Sequence, residues 1–208
     1  LFVPQSLPSL APADFANATT LAGTAAVLLR PFFDGDALAD QLDAICREAF
    51  DFEAPLRRLD DSTQLLELFH GPTAAFKDFG ARFLAACLRR LPAASASRPT
   101  TILVATSGDT GAAVGGAFDG IDGLRVVILY PDGRVSPRQA HQLGAFGANV
   151  DALRVAGSFD DCQRMAKAAL ADTALRERRP LTTANSISLG RLLPQAAYYA
   201  QAGARTQR

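Results

Sequence analysis

Residues Thr101 to Phe118 read TILVATSGDTGAAVGGAF. The first six form a near-continuous apolar, β-branched run, the pattern of a strand buried on both faces of a parallel sheet. Ser107-Gly108-Asp109-Thr110-Gly111 follows at once, and Ala112 to Phe118 reads as a helix. A strand, a loop rich in Gly, Ser and Thr, and a helix start together aim free backbone N–H groups and the positive end of a helix dipole at an anion. The hydroxyls of Thr106, Ser107 and Thr110 add donors. The loop lacks both the Gly-Lys-Ser/Thr ending of a P-loop and the spaced glycines of a dinucleotide fingerprint. By itself it also fits a plain strand-to-helix turn capped by Asp109 or Thr110.

Upstream, Leu65 to Phe79 reads LLELFHGPTAAFKDF. Leu65 to Phe69 is an apolar run with the look of a short strand, and Gly71-Pro72 stops it. Phe76-Lys77-Asp78-Phe79 then opens a segment rich in Ala and Leu that reads as a helix to Leu91. A lysine at a helix N-terminus is out of place electrostatically, because the dipole there already carries positive charge. An amine kept neutral is a nucleophile able to form a Schiff base with a carbonyl. The plainer alternative is a lysine that pairs with Asp78 or another carboxylate.

Together, HGPTAAFKDFGARF and ILVATSGDTGAAVGGAF resemble the threonine synthases, pyridoxal-phosphate (PLP) enzymes of the tryptophan-synthase-β type. The resemblance is to the bacterial and fungal group with an HGPT-x-AFKDF lysine motif. Three further stretches agree in order and spacing: Val126 to Pro137, Phe159 to Gln163 and Asn185 to Tyr199.

The rest of the chain supplies a frame for these motifs. From about Pro55, apolar runs and helical patterns alternate through Arg125 to Tyr130, Ser136 to Phe146, Val150 to Val155, Phe159 to Leu170, Leu181 to Ala184 and Ile187 to Gln201. The expected fold is α/β, a mostly parallel sheet flanked by helices. Ligands of such sheets bind outside the carboxyl ends of the strands, which groups Lys77, the Ser107–Gly111 loop and Asn185. Before this, Asp14 to Leu29 and Asp36 to Phe50 read as two helices, with Leu38, Leu42, Ile45 and Ala49 on one face of the second. We therefore expect a helical N-terminal domain over residues 1–54 and a PLP-binding domain over 55–208. Ser158 is a candidate N-cap with Asp161 at the capping-box position. Arg134 and Arg138 read as a solvated helix start, and Arg176 to Arg179 as a solvated loop.

Composition narrows the function. Twenty-one basic and 21 acidic residues balance, which disfavours nucleic acid or an anionic membrane as the main partner. No apolar run approaches the roughly 20 residues of a spanning helix. Three cysteines, Cys46, Cys87 and Cys162, are widely spaced and read as buried, reduced thiols of a cytoplasmic protein. His70 and His141 are the only histidines, too few for a multi-histidine metal site.

The resemblance implies an enzyme that converts O-phospho-L-homoserine and water to L-threonine and phosphate, as a monomer or homodimer. It implies that Lys77 carries PLP and moves protons, with Phe76 and Asp109 as further cofactor contacts. Thr106, Ser107, Gly108, Thr110 and Gly111 would hold the substrate's anionic groups, with Asn185, Ser186 and Arg191 near its phosphate. His70 is expected to be a structural hydrogen-bonder. The family's second Gly-rich loop, which cradles the PLP phosphate, is expected beyond Arg208, so the chain alone is expected to be inactive. A short leader is expected before Leu1. Two other readings fit the motifs less well: another PLP lyase of this fold, such as a serine or threonine dehydratase, or a non-catalytic binding protein.

Overall fold

The structure, a computed structural model, describes residues 3–91, 98–147 and 149–206. Leu1 and Arg208, to which the expectations about missing segments attach, lie outside the described residues. The chain forms two compact units, Leu1–Cys87 with Ile187–Arg208, and Leu88–Ser186. The division expected between residues 54 and 55 thus falls inside the first unit.

The first unit is mainly helical. Its expected opening helix is split into a 3-10 turn, Pro12–Phe15, and helix α1, Leu21–Leu29. The break comes at Thr20, whose hydroxyl accepts the N–H of Gly23 at 3.1 Å and caps α1. Helix α2, Leu42–Ala49, follows another 3-10 turn, Ala39–Gln41. Leu38, Leu42, Ile45 and Ala49 are all buried, as their helical spacing requires.

Two short strands come next. Strand β1, Leu56–Arg58, and strand β2, Gln64–Leu66, pair antiparallel with Leu56 opposite Leu66. The strand expected over Leu65 to Phe69 is therefore shorter, and it belongs to this two-stranded sheet and not to the parallel one. Helix α3, Lys77–Arg90, then begins at the lysine itself. Phe79 and Phe83 of α3 meet Phe50 with ring centroids 6.3 and 6.0 Å apart, and Phe79 meets Tyr198 edge-on at 5.0 Å. Burying one such aromatic contributes about 1.5–3 kcal/mol, so this cluster is a main source of the unit's stability.

The second unit is a four-stranded parallel sheet in the order β5-β4-β3-β6. Its strands are β3, Thr100–Ala105, β4, Leu124–Pro131, β5, Val150–Val155, and β6, Leu181–Thr182. Helices α4, Asp109–Phe118, α5, Pro137–Leu143, α6, Phe159–Ala171, and α7, Thr173–Arg178, fill the connections. Successive residues of a strand face opposite sides. Leu103 and Leu129 accordingly pack with Cys162 and Ala166 of α6. Ile128 faces the other side, toward Gly111 of α4 and Leu143 of α5. Both faces are covered, which is why β3 and β4 lack polar alternation.

Helix α7 corrects the loop expected over Arg176 to Arg179. Asp172 accepts the N–H of Leu175 at 3.0 Å and starts a short helix, and Arg176 and Arg178 stand in its last turn, where cations suit the dipole. The capping box at Ser158 forms as expected, with Asp161 accepting the Ser158 N–H at 2.7 Å. The last helix, α8, Leu189–Thr206, returns to the first unit. Its Arg191 carbonyl lies so close to Gly80 of α3 that an added Cβ would stand 2.4 Å from it. Only glycine allows that approach.

Candidate active site

In the first unit, the loop before Lys77 is locked from inside. Asp78 is 1% exposed and accepts both the backbone N–H of Thr73, at 2.8 Å, and its hydroxyl, at 2.6 Å. Gly71 leaves room for this carboxylate, since a Cβ there would meet Asp78 Oδ2 at 2.5 Å. Ala74 adopts a left-handed φ of 55°, a conformation that strains any residue with a Cβ. The lock sets Lys77 as the first residue of α3, half-buried, with Nζ 4.6 Å from the Phe76 ring centroid. His70 Nε2 is 2.8 Å from Glu67 Oε2, and the same carboxylate pairs with Arg57 at 3.1 Å. This is the structural hydrogen-bonding expected of His70.

In the second unit, the Ser107–Gly111 loop joins the carboxyl end of β3 to α4. Thr106 is buried, and its hydroxyl organises the turn. It accepts the N–H groups of Gly108 and Gly111 at 3.0 and 2.9 Å and donates to the Gly108 carbonyl at 3.0 Å. One donor and two lone pairs are all used, so this hydroxyl shapes the loop and leaves ligand contacts to its neighbours. Gly108 takes a φ of 151°, and a Cβ there would stand 2.2 Å from Gln139 Nε2. Gly108, not Asp109 or Thr110, occupies the N-cap position of α4.

Gln139 is the residue that sequence reasoning missed. Its Nε2 donates to Asp109 Oδ1 at 2.9 Å, and its Oε1 accepts the N–H of Ser136 at 3.1 Å. The Ser136-Pro137 start of α5 was the available signal, because Gln139 holds the capping-box position there. Its reach to Asp109, 30 residues away, had none.

A cavity of about 140 Å³ opens beside the loop, wholly within the second unit. Thr106, Ser107, Thr110, Asn185 and Ser186 line it together, so the structure brings five of the expected substrate residues to one place. Asn185 and Ser186 follow β6, as expected, and precede α8, whose first bonds run from the N–H groups of Arg191 and Leu192 to the Ser188 carbonyl, each at 2.9 Å.

Arg191 belongs to α8 in the first unit and is fully buried. Burial pushes its guanidinium below the ordinary arginine pKa. Among the described residues no group of three or more His, Cys, Asp or Glu could hold a metal, and no helix is long and apolar enough to cross a membrane.

Residues 54–190 match the model of the pyridoxal-phosphate dependent enzyme family. The chain belongs to this family. It is 42% identical over 205 residues to the threonine synthase of Haemophilus influenzae, a match covering 99% of this chain and 48% of that protein. The crystal structure of threonine synthase from Escherichia coli superposes with a TM-score of 0.87 at 40% identity, over 99% of this chain and 48% of that one. The PLP-bound threonine synthase from Brucella melitensis gives a TM-score of 0.86 at 37% identity, over 98% and 46%. The chain thus spans about half the length of the relatives it matches. The α/β fold expected from the sequence is the fold of these neighbours.

Proposed function

We propose that the protein is a threonine synthase, which converts O-phospho-L-homoserine and water to L-threonine and phosphate. The observation that carries this is Lys77, placed at the head of α3 by the Asp78–Thr73 lock in a chain of a PLP-dependent family. The names of the similar proteins support the choice of substrate.

The residues suit PLP. Lys77 offers a primary amine beside an aromatic ring, and the Ser107–Gly111 loop offers the Ser107 and Thr110 hydroxyls at a helix start. When bound, PLP supplies a carbonyl for the amine and a sink for the electrons of a substrate carbanion. Lys77 would hold it covalently, then act as base and acid at the substrate's Cα and Cβ. Phe76 would flank the cofactor. Asp109 would lie near its phenolic oxygen and share a proton with it, held by Gln139. Ser107 and Thr110, on the turn that Gly108 and Gly111 shape, would bind the substrate's anionic groups, with Asn185, Ser186 and Arg191 at the phosphate. Three buried free thiols fit a reducing compartment, and we assign the protein to the cytoplasm, as a monomer or homodimer.

The test is product formation by the intact protein supplied with PLP. Threonine and phosphate formed from O-phospho-L-homoserine, and lost in Lys77→Ala, are expected. Turnover of serine or threonine to a keto acid, with O-phospho-L-homoserine untouched, would instead make it another lyase of this fold.

A further inference from the structure

The cavity of the second unit has a wall that none of the expected residues accounts for. Helix α6 contributes Gln163 and Lys167, four positions and about one turn apart on the same face. Among the described residues that line the cavity, Lys167 carries the only formal charge, and no Asp or Glu is present. The Thr106 hydroxyl is used within the loop, and the Thr183 hydroxyl donates to the Leu103 carbonyl at 2.9 Å. By contrast, the side chains of Ser107, Thr110, Gln163 and Lys167 make no hydrogen bond or ion pair with other described residues.

A small cavity lined by one cation, no carboxylate and several donors without a partner among the described residues selects an anion rich in oxygen. A second cue is the start of α4, whose dipole adds positive potential behind Thr110. We propose that Lys167, with Gln163 beside it, is a specificity-determining residue for a phosphoryl group. Lys167 Nζ and Gln163 Nε2 donate to phosphoryl oxygens together with the Ser107 and Thr110 hydroxyls. The identity of the phosphate as that of the substrate rests on the threonine synthase reading. The anion site itself does not.

The experiment titrates inorganic phosphate into the intact protein, followed by ³¹P NMR. Wild type, Lys167→Met, Lys167→Arg and Gln163→Leu are compared, with thermal melts as a check of folding. In parallel, each protein is mixed with PLP, reduced with borohydride and mapped for label at Lys77. Lys167→Met should weaken phosphate about ten-fold or more, the loss of one charge-assisted hydrogen bond, and Lys167→Arg should retain most of it. Unchanged phosphate affinity in a folded Lys167→Met, or no phosphate binding by the wild type, overturns the proposal. Label at Lys77 alongside indifference to Lys167 would sink the proposal and leave the cofactor reading standing. Lys167-dependent phosphate binding without label at Lys77 would do the reverse.

Discussion

The side-chain amide of Gln139 ties two helix starts together: Nε2 donates to Oδ1 of Asp109 over 2.9 Å, and Oε1 accepts the Ser136 N–H over 3.1 Å. The two ends of the amide can be separated by mutation. Gln139→Glu keeps the acceptor for Ser136 but sets a second carboxylate against Asp109. It should leave the thermal midpoint nearly unchanged yet weaken PLP binding about ten-fold, equivalent to about 1.4 kcal/mol. Gln139→Ala loses both ends and should also lose about 1 kcal/mol of stability. Absorbance titration with PLP and thermal melts read the two effects apart. Equal PLP affinity in Gln139→Glu and wild type would show that Asp109 needs no tether.

Two glycines should respond to alanine in opposite directions. Gly80 faces a backbone oxygen at 2.4 Å from the position of an added Cβ, and a main chain cannot rotate away as a side chain can. Gly80→Ala should therefore be less stable by about 1–3 kcal/mol, despite a helix propensity better by about 1 kcal/mol. Gly203, also in α8, has nothing within 4 Å of an added Cβ. Gly203→Ala should gain up to about 1 kcal/mol. Urea denaturation of both variants checks the sign.

Asp161 gives the stability an acid limb. The Ser158 N–H, then the Ser158 hydroxyl and Arg164, pull its carboxyl down from 3.8 to about 2. The folded chain thus holds the ionised form better than the unfolded chain does. The resulting stability is complete above about pH 4 and is lost as pH falls toward 2. Urea midpoints measured from pH 5 to pH 2 should fall more steeply in wild type than in Asp161→Asn. Parallel slopes would remove Asp161 from the account.

Cys46 should be chemically silent in the folded protein. Burial, aided by Asp43, pushes its thiol up to about 12, so almost none is thiolate at neutral pH. Iodoacetamide at pH 8 should leave Cys46 unmodified in the native chain and alkylate it in urea, as read by peptide mass mapping. Native labelling at a rate near that of the unfolded chain would show that this part of the core opens readily.

The parallel sheet was legible because buried strands announce themselves as unbroken apolar runs. Thr101 to Thr106 was expected and Thr100–Ala105 is found, and Val150–Val155 is found as expected. Lys77 and the Ser107–Gly111 loop were legible because breaks in an apolar pattern mark them. The β1–β2 hairpin was not, since three-residue strands joined without an Asn-Gly or Asp-Gly turn carry too little periodicity. That mattered, because Lys77 follows β2 and not a strand of the parallel sheet, so the carboxyl-end rule covers the loop and Asn185 but not the lysine. Helix α7 was hidden by its charges, although Asp172 marked its start. The bonds of Thr106 and Gln139, and the place of Lys167 beside the cavity, are set by folding, which residue order does not display.

The hydroxyl of Thr106, with its three bonds turned inward, has one more consequence. A loop that had to be ordered by its ligand would surrender about 1–2 kcal/mol of binding energy for each residue brought to rest. Here that ordering is already part of the folding of the second unit. The loop meets a ligand preorganised, and the strength of its remaining contacts goes into affinity and orientation instead of into stilling its own backbone.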